Sequence, residues 1–221
     1  MSAVDVRVWI FGAVAVVVGL AIVIQRHLDN KRREALARLA LRIGFSFSPE
    51  DPRLLTEPSL GRCSLFNKGH SRKAKNVLRG TQGSLAMTLF DYQYTIGAGK
   101  HSHTYGQTVS ASQLGGRVTT EFQLRPKRFF DALSGLFGSK AVAMPHPGFS
   151  SQYLVRGIDE PMIRQLFRQD VLAFFNGKKG WSVESAGGWL IAYRSGKQIK
   201  PEEFTVFLES TRSIASLFLT S

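Results

Sequence analysis

The stretch LFDYQYTIGAGKHSHTYGQTV, Leu89 to Val109, gathers residue types that do chemistry: an aspartate among aromatics, glycines before a lysine, and two histidines one residue apart. A phosphate-binding loop needs Gly-x-x-x-x-Gly-Lys followed by Ser or Thr, because its amides cradle phosphate and its hydroxyl binds magnesium. Counting back from Gly99-Lys100 puts Tyr94 where the first glycine belongs and His101 where the hydroxyl belongs. The β-like TYGQTV follows where a helix is required, so phosphate-loop chemistry is excluded. His101 and His103 would share one face of a strand, as two metal ligands can. No third ligand adjoins them, and His70, His146 or Asp91 would join only through the fold, so no metal or other cofactor is expected.

Asp91 could act as acid or base if its aromatic surroundings raised its pKa. Period-two alternation instead sets it with Gln93 and Thr95 on the polar, solvent-facing phase of a strand. A membrane-tethered hydrolase using Asp91, His101 and His103 is therefore an alternative and not the leading expectation. In HPGFSS, His146 lies near Ser150 and Ser151, but the Gly-x-Ser-x-Gly elbow is absent and a rigid turn is expected. TIGAGKHSHT then becomes the tip of a wide hairpin, with glycines able to take positive φ and polar side chains facing water. No catalytic residue is assigned.

The elements around this stretch are mixed. NVLRG and GSLAMTLFDYQYTI read as strands, the second with an apparent phase change: Leu85, Met87 and Leu89 on one face, then Phe90, Tyr92, Tyr94 and Ile96 on the other. That predicts a bulge near Leu89-Phe90. TYGQTVSA and VTTEFQL (Val118, Thr120, Phe122, Leu124) continue an antiparallel meander. Helices are predicted over RPKRFFDALSGLFG, over IDEPMIRQLFRQDVLAFFNG with Asp159 as N-cap, and after Pro201. SQYLVRG is a short strand. WSVESAGGWLIAY is a hairpin whose three-residue turn would set Trp181 opposite Tyr193 and Val183 opposite Ile191. Segregated strands and helices indicate an α+β fold of antiparallel meander and hairpins packed with several amphipathic helices.

Ahead of that domain, Val8–Gln25 contains no charged residue. Eighteen helical residues span about 27 Å, close to the hydrocarbon thickness of a bilayer. A cleaved signal peptide is the rival, but there is no basic n-region and no good A-x-A site. Residues 1–25 are thus expected as a single transmembrane anchor, with Arg7 and Trp9 at the membrane interface. Residues 26–43 follow as a basic amphipathic juxtamembrane helix, and 44–221 as the α+β domain. Glycine, proline and serine cluster over 139–150, where a subdomain break would fall. Positive charge after the run leaves the N-terminus outside and the domain in the cytoplasm, at the inner cell membrane. The lone cysteine, Cys63, rules out an internal disulfide.

Lysine and arginine exceed aspartate and glutamate by 29 − 16 = +13, so an anionic partner is expected. Arg26, Lys31, Arg32 and Arg33 form a collar after the apolar run. Lys68, Arg72, Lys73 and Lys75 lie in an acid-free stretch, in part a polar loop (NKGHSRKAKN). All eight are candidates for facing anionic lipid. A membrane-tethered nucleic-acid binder stacking bases on Phe90, Tyr92 and Tyr94 is disfavoured, because that aromatic row alternates like a core face.

Taken together, NVLRGTQGSLAMTLFDYQYTIGAGKHSHTYGQTV, HPGFSSQYLVRGIDE and WSVESAGGWLIAYRSGK resemble a family of uncharacterised bacterial membrane-anchored proteins. In these a short hydrophobic anchor precedes a domain with an FDYxY…GxGK…QTV-type signature, over roughly residues 36–215 here. The resemblance implies a membrane-anchored module and no particular activity. The leading expectation is a single-pass membrane protein whose cytoplasmic domain is a non-enzymatic binding or scaffolding module beside anionic lipid, with a protein partner on its far side.

Overall fold

The computed structural model describes residues 3–115, 120–127 and 140–219, with side chains from residue 16 onward and excluding that of residue 140. One α-helix, α1 (Ala3–Arg42), precedes strand β1 (Ser46–Glu50). Three 3-10 turns, Pro52–Thr56, Leu60–Arg62 and Ser64–Asn67, lead to β2 (His70–Gln82), β3 (Leu85–Ile96) and β4 (His103–Gln113). Then come β5 (Phe122–Pro126), β6 (Lys140–Val142), α2 (Pro147–Gln152), β7 (Tyr153–Gly157), α3 (Glu160–Leu166) and α4 (Gln169–Gly177). The chain closes with β8 (Ser182–Ala186), β9 (Trp189–Tyr193) and α5 (Phe204–Leu219). The strands form one antiparallel sheet in the order β1-β2-β3-β4-β9-β8-β5-β7-β6, so the α+β expectation holds.

Both faces of this sheet are covered. Leu36, Leu39 and Ala40 of α1, Phe149, Ile163, Val171 and the stripe of α5 pack on one face. The 3-10 turns supply Leu54, Leu60, Cys63, Leu65 and Phe66 to the other. This second layer has no helical or strand periodicity, so its pattern predicts no element there. Its presence explains β3. Leu85, Met87 and Leu89 face the helices while Phe90, Tyr92 and Tyr94 face the 3-10 layer, in unbroken alternation, and the β3–β4 register runs without a slip from Ala86↔Gln113 to Ile96↔His103. The apparent phase change was one strand buried on both sides. The irregularity falls in the neighbouring strand, between Lys75 and Leu78 of β2, where Asn76 takes φ +51.

Other boundaries moved for local reasons. The polar stretch expected as a loop is strand from His70. The helix expected over IDEPMIRQLFRQDVLAFFNG breaks into α3 and α4 at Phe167-Arg168, and the break shifts the buried stripe from Phe174 to Leu172 and Phe175. Asp159 does cap it, its carboxylate accepting from the Met162 amide. The β8–β9 turn has two residues, Gly187 and Gly188, both at positive φ (60 and 80), not three. The register is therefore Ser182↔Tyr193 and Glu184↔Ile191, which moves Glu184 into the interior. The helix expected over RPKRFFDALSGLFG and the Val118 end of its preceding strand lie outside the described residues, although Pro126 itself ends β5.

Candidate functional site

Asp91 is buried at 6% exposure, not solvent-facing. It sits on the helix side of β3, where Arg32 of α1 reaches it with Nε and Nη2, both at 2.8 Å, onto Oδ2 and Oδ1. Asn76 donates to Oδ2 at 2.9 Å from the β2 bulge, and Thr108 donates to Oδ1 at 2.9 Å from β4. The Thr108 hydroxyl in turn accepts from the Ile199 amide at 2.9 Å. Both oxygens are thus occupied twice, and the bidentate fork fixes the angle at which α1 meets the sheet. A carboxylate bound this way would have to break the clamp before accepting a proton from a substrate.

Glu184 forms a second node on the opposite face. Its Oε1 accepts from Arg125 at 2.9 Å and Tyr193 at 2.8 Å, and its Oε2 from the Ser64 hydroxyl at 2.7 Å and the Leu65 amide at 3.2 Å. Burial pushes this carboxyl up, but the Arg125 charge, the Ser64 hydrogen bond, Lys68 and Tyr193 outweigh it and hold the group below the usual glutamate range. Burial and the adjacent Glu184 charge push the Tyr193 hydroxyl well up. Cys63, buried beside this node, is raised by burial and then by Glu184, so it is a core thiol. The one-residue difference in hairpin register concealed this node, since in the expected register Val183, and not Glu184, faces Ile191.

The cations expected to face lipid divide into groups. Arg26, Lys31 and Arg33 are exposed on α1, and Lys73 is exposed on β2. Arg32 is committed to Asp91, with its side chain 15% exposed. Lys68 is 6% exposed; burial first, then the Arg125 charge, lower its ammonium to about 8, against a partial opposing effect of Glu184. Arg72 is exposed but donates to the carbonyls of Phe66 and Gly69. Lys75 is half-buried and lines a polar cleft of about 180 Å³ with Gln25, Arg33, Gln93 and Gln198. The side chains of Arg7 and Trp9 lie outside the described residues.

The histidines do not converge on Asp91. His70 bonds Ser71 and the Gly97 carbonyl, and His103 packs edge-on to Tyr105 near the hairpin tip. His146 caps α2, accepting from the Phe149 amide at 3.1 Å, while Ser150 and Ser151 donate to the Met144 and Gly148 carbonyls. Phe90, Tyr92 and Tyr94 are core residues packed with Phe66 and each other, so they present no open stacking platform. Among the described residues, no three His, Cys, Asp or Glu side chains are grouped to hold a metal ion.

Of the apolar run, the side chains up to residue 15 lie outside the described residues; Val16 to Asn30 are exposed along α1. Among the described residues no helix is long and apolar enough to cross a membrane. No family model and no curated protein sequence matches the chain. Its fold is similar to that of the mycobacterial trehalose monomycolate transport factor A, TtfA, in a crystal structure, with a TM-score of 0.60 at 15% identity over 86% of this chain and 93% of that one. At that identity the likeness is one of fold.

Proposed function

We propose that the chain is a single-pass membrane protein whose Val8–Gln25 run is the anchor and whose cytoplasmic sheet domain is a non-enzymatic binding module held against the anionic leaflet. The observation that carries this reading is the clamp of Arg32 on Asp91. Residues 3–42 form one uninterrupted helix, and the last part of that helix is fixed to the sheet by a buried bidentate ion pair and by Leu36, Leu39 and Ala40. A domain tethered by a loose linker would need neither. Such a mount supports a role in holding a binding surface at a set height and tilt above lipid, with Arg26, Lys31 and Arg33 beside the headgroups.

The saturated state of Asp91 and Glu184 favours this over hydrolysis, because each carboxylate already accepts four hydrogen bonds. A fold similar to that of a transport factor also agrees with an accessory role. The test is fractionation of the full chain expressed in bacteria. It is expected in the membrane pellet, resistant to alkaline carbonate, with the domain sensitive to protease only in inverted vesicles. Recovery in the soluble fraction without detergent would end this reading.

A further inference from the structure

We propose that the free end of the β3–β4 hairpin is a second membrane contact, meeting the anionic phospholipid headgroup layer on the side from which α1 leaves the domain. This rests on Val8–Gln25 being the anchor, and it adds a contact that the anchor reading does not require.

Direction carries the argument. β1 follows α1 through the turn at Gly44, which takes φ +73, so the two run back to back. β1 starts opposite Arg79 of β2 and ends opposite Lys75, and Lys75 is paired in turn with Asp91 of β3. At that same end Arg32 grips Asp91. Going toward the N-terminus of α1 is therefore going toward the C-terminal end of β3, which is the hairpin tip. From Arg32 back to Gln25 the helix advances about 10 Å. Gln25 shares the polar cleft with Gln93 and Gly106, and from Gln93 to Ile96 the strand advances about 10 Å further toward the tip. The tip reaches the level at which the apolar run begins.

Its chemistry fits that level. Between Glu57 and Glu121 the one carboxylate in the sequence is Asp91, which Arg32 occupies. Exposed Lys73 and Lys100 stand at this end of the sheet, along with His70 and His101. Ile96 (40%) and Tyr105 (38%) are among the exposed large apolar side chains. Tyr105 stacks on Tyr94 with centroids 5.4 Å apart, so its ring is held in place as part of a ladder. An isoleucine and an oriented tyrosine among cations, without carboxylates, suit the headgroup boundary, where amphipathic rings reside and anionic lipid attracts lysine. The tip is also narrow. A Cβ at Gly97 would collide with the His101 carbonyl oxygen, so its close turn requires glycine there.

The test uses the full chain reconstituted into vesicles of phosphatidylglycerol or phosphatidylcholine. An environment-sensitive fluorophore is placed on Ile96→Cys at the tip or on Ser84→Cys in the β2–β3 turn at the other end of β3; the native Cys63 is buried. Expected is a blue shift, and quenching by headgroup-labelled lipid, at position 96 in phosphatidylglycerol and not at position 84. The added pair Lys73→Glu and Lys100→Glu is expected to abolish the response at 96. If 96 behaves like 84 while the chain resists carbonate, the tip contact is overturned and the anchor stands. Release by carbonate overturns both. An equal response in phosphatidylcholine overturns the requirement for anionic lipid, and protection of 96 in native membranes but never in pure lipid assigns the tip to a protein partner instead.

Discussion

Two buried carboxylates, one on each face of the sheet, accept four hydrogen bonds apiece and hold an arginine, yet they serve different joints. Glu184 is 1% exposed and its Arg125 side chain 7%; together with Ser64 and Leu65 they fasten the 3-10 layer onto strands β5, β8 and β9. Asp91 is 6% exposed and its Arg32 side chain 15%; they fasten α1 to strand β3. Arg125 of the first pair has only 7% of its side chain exposed, although Glu184 and Ser64 border a cavity of about 350 Å³, while the second pair sits beside a polar cleft. An ion pair deep in a core is costly mainly when one half is removed, because the remaining charge cannot be rehydrated. Beside the cleft the orphaned Arg32 guanidinium can swing toward water. The same hydrogen-bond count thus marks two fixed joints whose loss is expected to cost different amounts, according to where the orphaned arginine can go.

Glu184→Ala should break the deeper node at a cost of about 4 kcal/mol, read by denaturant unfolding, since Arg125 is left charged and buried. A cost matching that of a surface pair would show that water enters there. Asp91→Ala should cost less, about 2–3 kcal/mol, because Arg32 can reach the cleft. Its distinguishing sign is local: amide exchange should rise across residues 28–42 of α1 while β8 and β9 keep their protection. Uniform loss of protection would make α1 part of the global core and erase the contrast.

Lys68→Met should stabilise the protein by about 2 kcal/mol at neutral pH, as it removes an ammonium that burial disfavours. The sign follows from its value of about 8 in the folded chain against 10.5 for an ordinary lysine. The unfolded chain binds more protons between those values, so this lysine's penalty is full below pH 8 and fades as pH rises toward 10.5. The gain from the methionine should fade with it. Glu184 acts oppositely: its folded pKa is lowered, so its contribution is present above the ordinary glutamate range and is lost as pH falls through the lowered value. Acid melts of wild type and Glu184→Gln should therefore converge. Smallest of all, Arg62→Ala removes an ion pair to Glu121 whose side chains are 62% and 40% exposed, and should shift stability by less than about 1 kcal/mol.

Much of the architecture was legible from local pattern. The antiparallel strands, the Asp159 cap and the amphipathic stripe of α5 follow from period and capping chemistry that act within a few residues. Even Thr211, which interrupts that stripe, belongs to it: its hydroxyl donates to the Leu208 carbonyl within the helix, which lets it be buried. The expectation for Asp91 failed because alternation tells which residues share a face, not whether that face meets water. The hairpin register failed by one residue because Gly187 and Gly188 alone make the turn, and one residue is enough to turn Glu184 inward.

Residue order alone specifies a strongly basic α+β chain with an uncharged apolar run near its start and glycine-bearing turns between alternating strands. Which charges are free depends on contacts made in the folded chain. Arg32 meets Asp91 across 59 residues and Ser64 meets Glu184 across 120, so no local period encodes either pair. A buried charge is stable only beside its partner, and the fold alone sets that proximity.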